Sequence, residues 1–150
     1  MDGRSDLMRF VMAQNVENFI PGETVYMSAH REIAGGRKRG CWMWFIYPQL
    51  RGLGSSFESD YYGLADAAEA RAYARHPVLG ERLRDMCRLV LMLPPGDPTA
   101  VFGGIDAMKL RSSMTLFAAA VPEEALFRQV LAHCFDGLTD ERTLMMLNDK

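Results

Sequence analysis

Residues 36–54 read GRKRGCWMWFIYPQLRGLG. Three consecutive cations, Arg37, Lys38 and Arg39, stand directly before the aromatic run of Trp42, Trp44, Phe45 and Tyr47, and Pro48, Gln49 and a glycine-punctuated turn follow. Both tryptophans of the chain lie here. Positions 41–47 are continuously apolar, and at that length periodicity does not separate a buried strand from a buried helix. The aromatic composition leans towards a strand, but the flanking segments look helical. Pro48 lacks a backbone donor and crowds the preceding turn. A short buried helix ending near it is therefore expected. Cationic, aromatic and amide groups packed this closely build a core, a binding pocket, or both.

Upstream, Ser5 and Asp6 read as a cap for a helix over residues 7 to about 16, where Leu7, Phe10, Val11 and Gln14 recur at helical spacing. Pro21-Gly22 makes a turn. A second helix, about 24–34, carries Val25, Ser28, Ala29 and Glu32 on one side and ends at Gly35-Gly36. Downstream, Gly52 and Gly54 open a loop before a short helix over 56–62. Asp66 caps the next helix, with Glu69 at the capping-box position. His76-Pro77 breaks it, and Pro77 suits the first turn of the longest expected helix, 77 to about 92. Val78, Leu79, Leu83, Met86, Val90 and Leu93 form its apolar stripe, and Arg82, Arg84, Asp85 and Arg88 face water.

The loop LPPGDP, residues 93–98, leads to a short helix that Gly103-Gly104 stops. Asp106 reads as the cap of a helix over 107–120, Pro122 as the start of one over 123–135, and Thr139 as the cap of a last one over 140–148. The expectation is one mainly α domain spanning residues 1–150. It would have seven to nine short helices in orthogonal-type packing, without repeat or linker.

Composition narrows the class. A chain of 150 residues fits one domain, and folding at that length buries roughly 70% of the unfolded surface. A formal net charge of -2 argues against general nucleic-acid binding, which wants a basic domain. The 11 methionines suggest an adaptable core. The three cysteines, Cys41, Cys87 and Cys134, are odd in number and widely spaced, without zinc spacing. They read as free thiols in a reducing cytoplasm. No signal peptide and no membrane span is visible. No metal or cofactor is expected.

A second stretch, DAMKLRSSMTLF at 106–117, could carry chemistry. On a helix Lys109, Ser112 and Ser113 share a face, while Leu110, Met114 and Phe117 face the core. Helix-interior serines compete with the backbone, so two beside a lysine invite a reason. An ammonium with hydroxyl donors suits an anion. Interhelical hydrogen bonds with an exposed lysine are the commoner arrangement.

KRGCWMWFIYPQLRGLG, EARAYARHPVLGERLR and DAMKLRSSMTLFAAAVP together resemble the three signature blocks of a bacterial family, domain of unknown function 1810, over about residues 7–147. Some members carry the label calpastatin. The family usually has histidine where this chain has Cys41. It has no established activity to carry over. The resemblance implies a compact, mainly helical cytoplasmic protein with a shared polar-aromatic pocket.

Placing the blocks in one pocket gathers Lys38, Trp42, Trp44, Gln49, His76, Lys109, Ser112, Ser113 and Thr115. Such a set would suit a small anionic, nucleotide-like ligand, with a tryptophan stacking a base, Gln49 bonding its edge and Lys38 or Lys109 meeting phosphate. Each alone has a plainer role: the tryptophans as core, His76 as a helix-start residue, and Cys41 as an inert thiol rather than one activated by its basic neighbours. No nucleophile-base set or phosphate-loop motif can be named, so catalytic residues stay unassigned. Two other classes remain open: a self-association or partner module using Trp44, Tyr61, Tyr62 and the methionines, and an enzyme acting on a nucleotide or its ribose.

Overall fold

The aromatic run does fold as a helix. In the computed structural model, which describes residues 7–149, Trp42 to Tyr47 wind through the single turn Met43–Ile46, closed by Tyr47 N–H on Met43 O at 3.1 Å. We number the helices in chain order: α1 Met8–Asn15, α2 Val25–Ala34, α3 Met43–Ile46, α4 Phe57–Tyr61, α5 Ala67–Arg75, α6 Leu79–Leu91, α7 Thr99–Phe102, α8 Gly104–Ala120, α9 Leu126–Phe135 and α10 Glu141–Asn148. The fold is all-α, with ten helices among the described residues against the seven to nine expected. Two isolated bridges, Glu17 with Thr24 and Leu50 with Leu64, are the extended pairings seen there.

Local capping explains most boundaries. Thr24, Ser56 and Asp66 each accept a backbone N–H three residues on, at the starts of α2, α4 and α5, which satisfies donors the first turn leaves unpaired. The expected cap at Ser5-Asp6 lies outside the described residues. Glu69 reaches back one residue further than a capping box does, taking Ala65 N–H at 2.9 Å and Arg9 Nη2 at 3.3 Å.

Five expectations need correcting. The helix after His76 starts at Leu79, because His76 Nδ1 accepts Val78 N–H at 3.1 Å and Leu79 N–H at 3.2 Å. It has 13 residues, whereas α8 has 17 and is the longest. Helix α8 starts at Gly104, so Asp106 sits in its first turn instead of capping it. Helix α9 begins at Leu126 rather than near 123. The cap of α10 is Asp140, not Thr139: its carboxylate accepts Thr143 N–H at 3.2 Å and the Thr143 hydroxyl.

Helix α8 runs through the core. Its Leu110, Met114, Leu116 and Phe117 are buried; Phe117 meets Tyr73 of α5 and Phe127 of α9, and Met114 meets Cys87 of α6. Each fully buried side chain of this size contributes about 1.5–3 kcal/mol. The methionines divide otherwise than expected. Met43, Met86 and Met114 are core, while Met8, Met12, Met27, Met92, Met108 and Met145 are exposed on outward helix positions. Arg82 and Arg84 are also not simply solvated. Arg82 donates to Gln14 Oε1 at 3.0 Å, and Arg84 holds both oxygens of Glu124 at 2.8 Å and Ala74 O at 2.8 Å.

Candidate functional site

The basic block divides between structure and surface. Glu32, a buried residue of α2, receives three donors on one oxygen: Arg39 N–H at 2.8 Å, Gly40 N–H at 2.9 Å and Trp42 Nε1 at 2.9 Å. Burial would raise its carboxyl, but the Gly40, Arg39 and Trp42 donors outweigh that and hold it below the ordinary value. Gly40 permits this geometry, since a Cβ there would come within 2.9 Å of the Trp42 ring. Trp42 is 1% exposed. It is a core residue bonded to a carboxylate, and its faces are not offered to a base.

Lys38 is held just as firmly. Its ammonium lies 2.7 Å from Asp106 Oδ2, donates to Gly40 O and sits 5.0 Å from the Trp42 ring centroid. Its side chain is 9% exposed. The local cap expected of Asp106 thus gives way to a long-range ion pair that ties the 37–42 loop to α8. The same carboxylate also faces Lys109, at a looser 3.4 Å through Oδ1. Two ammonium groups share one carboxylate, so one positive charge is left over, and Lys109 is its more exposed holder. Lys109 Nζ stands 4.6 Å from the Trp44 ring centroid, a cation–π contact worth about 0.5–1 kcal/mol at a partly exposed site. It covers the ring that was expected to stack a ligand.

Lys109 opens onto a cleft of about 350 Å³ between the loop after α3, α4, the first half of α8 and the start of α10, lined by Gln49, Ser59, Lys109, Ser112, Asp140 and Arg142 with Leu53, Gly54, Ile105 and Met108. Gly54 is required at its wall: a Cβ there would fall 2.4 Å from Ser59 Oγ. Gln49 is 9% exposed. Its backbone carbonyl accepts Leu64 N–H at 3.0 Å, and its side-chain amide is bonded to no described residue. Ser112 Oγ is 3.0 Å from Asp140 Oδ2. An ionised carboxylate only accepts, so the Ser112 proton is spent there and the hydroxyl offers the cleft lone pairs alone.

Of the nine residues gathered from the sequence, Gln49, Lys109 and Ser112 therefore meet in this cleft. Lys38 and Trp42 are the buried tie described above, and Trp44 lies under Lys109, its Nε1 buried without a protein partner. Ser113 is fully buried, its hydroxyl also unpartnered. Thr115 is structural: Oγ1 donates to Arg111 O at 2.8 Å and accepts Asp140 N–H at 2.9 Å. His76, whose Nδ1 accepts the Val78 and Leu79 N–H groups, lines a separate hollow of about 460 Å³ with Leu7, Ala68, Arg71 and Arg75. A single pocket holding all nine does not form. Ser59, Asp140 and Arg142 were not foreseen, because their spacing in the sequence carries no motif. Cys41 is exposed, rather than buried, at a third hollow beside Arg31, Arg39 and Phe19. Among the described residues no three His, Cys, Asp or Glu side chains cluster as a metal site would, and no helix is long and apolar enough to cross a membrane.

An all-helical chain whose signature blocks fold into a basic-aromatic tie and an adjoining polar cleft is the class defined by these observations. The chain belongs to the family described as "Protein of unknown function (DUF1810)", whose model matches residues 4–147. It is similar to the conserved hypothetical protein Rv1873 from Mycobacterium tuberculosis, known from a crystal structure, at 44% identity and a TM-score of 0.87, over 95% of this chain and 96% of that one. No curated protein matches the chain.

Proposed function

We propose that this protein binds a small organic anion, nucleotide-like in character, in the cleft beside Lys109. The observation that carries the proposal is the unequal sharing of Asp106: Lys38 takes it at 2.7 Å and Lys109 at 3.4 Å. A cation so loosely paired at the wall of a cleft is a site where an anionic ligand gains charge-assisted bonds without breaking the fold. Arg142, with one guanidinium nitrogen on Leu53 O at 3.1 Å, adds a second cation. Binding is favoured over catalysis, since Asp140 Oδ2 already accepts the Thr143 N–H and the Thr143 hydroxyl as the cap of α10 as well as the Ser112 hydroxyl.

The test is a thermal-shift screen of nucleotides and phosphorylated metabolites on the intact chain. A ligand at a hundred times its Kd stabilises by about 2.7 kcal/mol through mass action, and Lys109→Ala removes that gain. Absence of any stabiliser at saturating concentration, or a shift that survives Lys109→Ala, would refute the proposal.

A further inference from the structure

Resting on that anion-binding reading, we infer that the ligand of this cleft carries a lactam or amide edge as well as its anionic group, and that Gln49 is the residue that selects it. The starting point is the side-chain amide of Gln49. It is nine-tenths buried, lines the cleft and is bonded to no described residue. Its amide atoms are not among the buried unpartnered ones, so they reach solvent through the cleft, and a ligand that covers them must replace the bonds water makes there or leave them unmade at a cost. A primary amide presents a carbonyl acceptor beside an N–H donor. The group that satisfies both at once has the reverse pair side by side, which is the N–H and C=O of a lactam or another amide.

The rest of the lining points the same way. Lys109 and Arg142 only donate. Ser112 donates its hydroxyl hydrogen to Asp140 Oδ2, so it only accepts towards the cleft, as does the Asp140 carboxylate. A bare phosphate or carboxylate is mostly an acceptor. It would satisfy the two cations and be repelled by the other side. A ligand with an anionic end and an N–H-bearing end meets both halves. Recognition by edge rather than by stacking also follows from the tryptophans, since Trp42 is buried and Trp44 lies beneath the Lys109 ammonium. The ring flanks are instead offered Leu53, Ile105 and Met108. The volume, about 350 Å³, is at the small end of ligand pockets, which run from roughly 300 to 1,000 Å³.

Isothermal titration of the intact chain with three probes tests this: uridine 5′-monophosphate, its N3-methyl derivative, and ribose 5-phosphate. All three share the sugar phosphate, but only the first has an unblocked lactam. The expected result is binding of uridine 5′-monophosphate about tenfold tighter than of either other probe, the scale of one lost hydrogen-bonded pair. In Gln49→Met, close in shape but without the amide, the affinities for uridine 5′-monophosphate and its N3-methyl derivative converge. In Lys109→Ala all three weaken together. Equal affinities for the uridine compound and its N3-methyl derivative in the unaltered protein overturn the inference, as does a preference that survives Gln49→Met. If that variant fails to fold, the N3-methyl comparison alone decides. Lys109-dependent binding of all three with no preference removes the lactam inference and leaves the anion site standing. No binding of any of the three at millimolar concentration removes both.

Discussion

Lys38→Ala and Lys109→Ala should part company in stability by several kilocalories, although the sequence presents the two lysines as equals. Lys38 is 9% exposed and holds Asp106 at 2.7 Å, the Gly40 carbonyl and the Trp42 ring. Truncating it leaves Asp106 partly buried with only the looser Lys109 contact, strips the 37–42 loop of its anchor and opens a void beside Trp42. Removing one member of a buried pair costs about 3–5 kcal/mol. For a domain of this size each kcal/mol lowers Tm by about 2–4 °C, so a fall of about 6–20 °C is expected. Lys109 is 21% exposed and makes an i,i+3 pair at 3.4 Å and one cation–π contact. Together these are worth about 1 kcal/mol after solvent screening, or about 2–4 °C. Differential scanning calorimetry of the two variants at neutral pH reads the difference. Equal losses, or a larger loss for Lys109→Ala, would refute the division of the basic block into a structural and an available cation.

Three further outcomes are expected. Ser113→Ala should raise stability by about 1–3 kcal/mol, because it removes a buried hydroxyl that has no partner and improves helix propensity; a loss in chemical denaturation would mean the hydroxyl is bonded. One thiol, Cys41, should react with an aromatic disulfide reagent at pH 8 in the native state, and Cys87 and Cys134 only in denaturant. Burial shields both and pushes the Cys134 thiol up to about 11 and Cys87 higher still; two or more native reactive thiols would contradict this. Glu32 contributes stability that is present above its unfolded value, near 4.5, and is lost as pH falls through its lower folded value. The gap in Tm between the parent and Glu32→Gln should therefore be full at pH 7 and shrink as pH falls below about 4, and a gap that stays constant across this range would show that the charge on Glu32 is not what the donors read.

What could be read in the sequence was what short range decides. Asp66 caps the helix expected of it because a cap needs only its own side chain and the N–H three residues on, and Thr24 and Ser56 do the same where helices were expected to start. Pro48 ended α3 for a similarly local reason. Asp106 misled because it too has the chemistry of a cap, and only the fold brings Lys38, far away in the chain, to within 2.7 Å. Thr139 and Asp140 are both competent caps, and the choice between them fell to Ser112 and Thr115 on α8, which bind the carboxylate and the N–H of Asp140. Ser112 and Ser113 were assigned one role as neighbours. About 100° apart around a helix, one reaches the cleft wall and the other is sealed inside.

Two of the three residues that do meet at the cleft, Gln49 and Lys109, share a property that sequence cannot express, which is how little the fold asks of their side chains. Asp140 Oδ2 serves the α10 cap and the Ser112 proton with the same atom, and Thr115 pins the Asp140 backbone. That floor is fixed by bonds the fold needs anyway, so it is preorganised for a ligand at no added ordering cost. Above it the Gln49 amide is bonded to no described residue and the Lys109 ammonium is only half-paired. Polar groups with work left to do are rare in a folded interior, because each costs stability wherever no partner compensates it. Their convergence on one wall, opposite a rigid acceptor set, distinguishes this cleft from the hollows beside His76 and Cys41. In the first of those, His76 Nδ1 is already taken by the Val78 and Leu79 N–H groups. In the second, Glu32 has one oxygen filled by three donors.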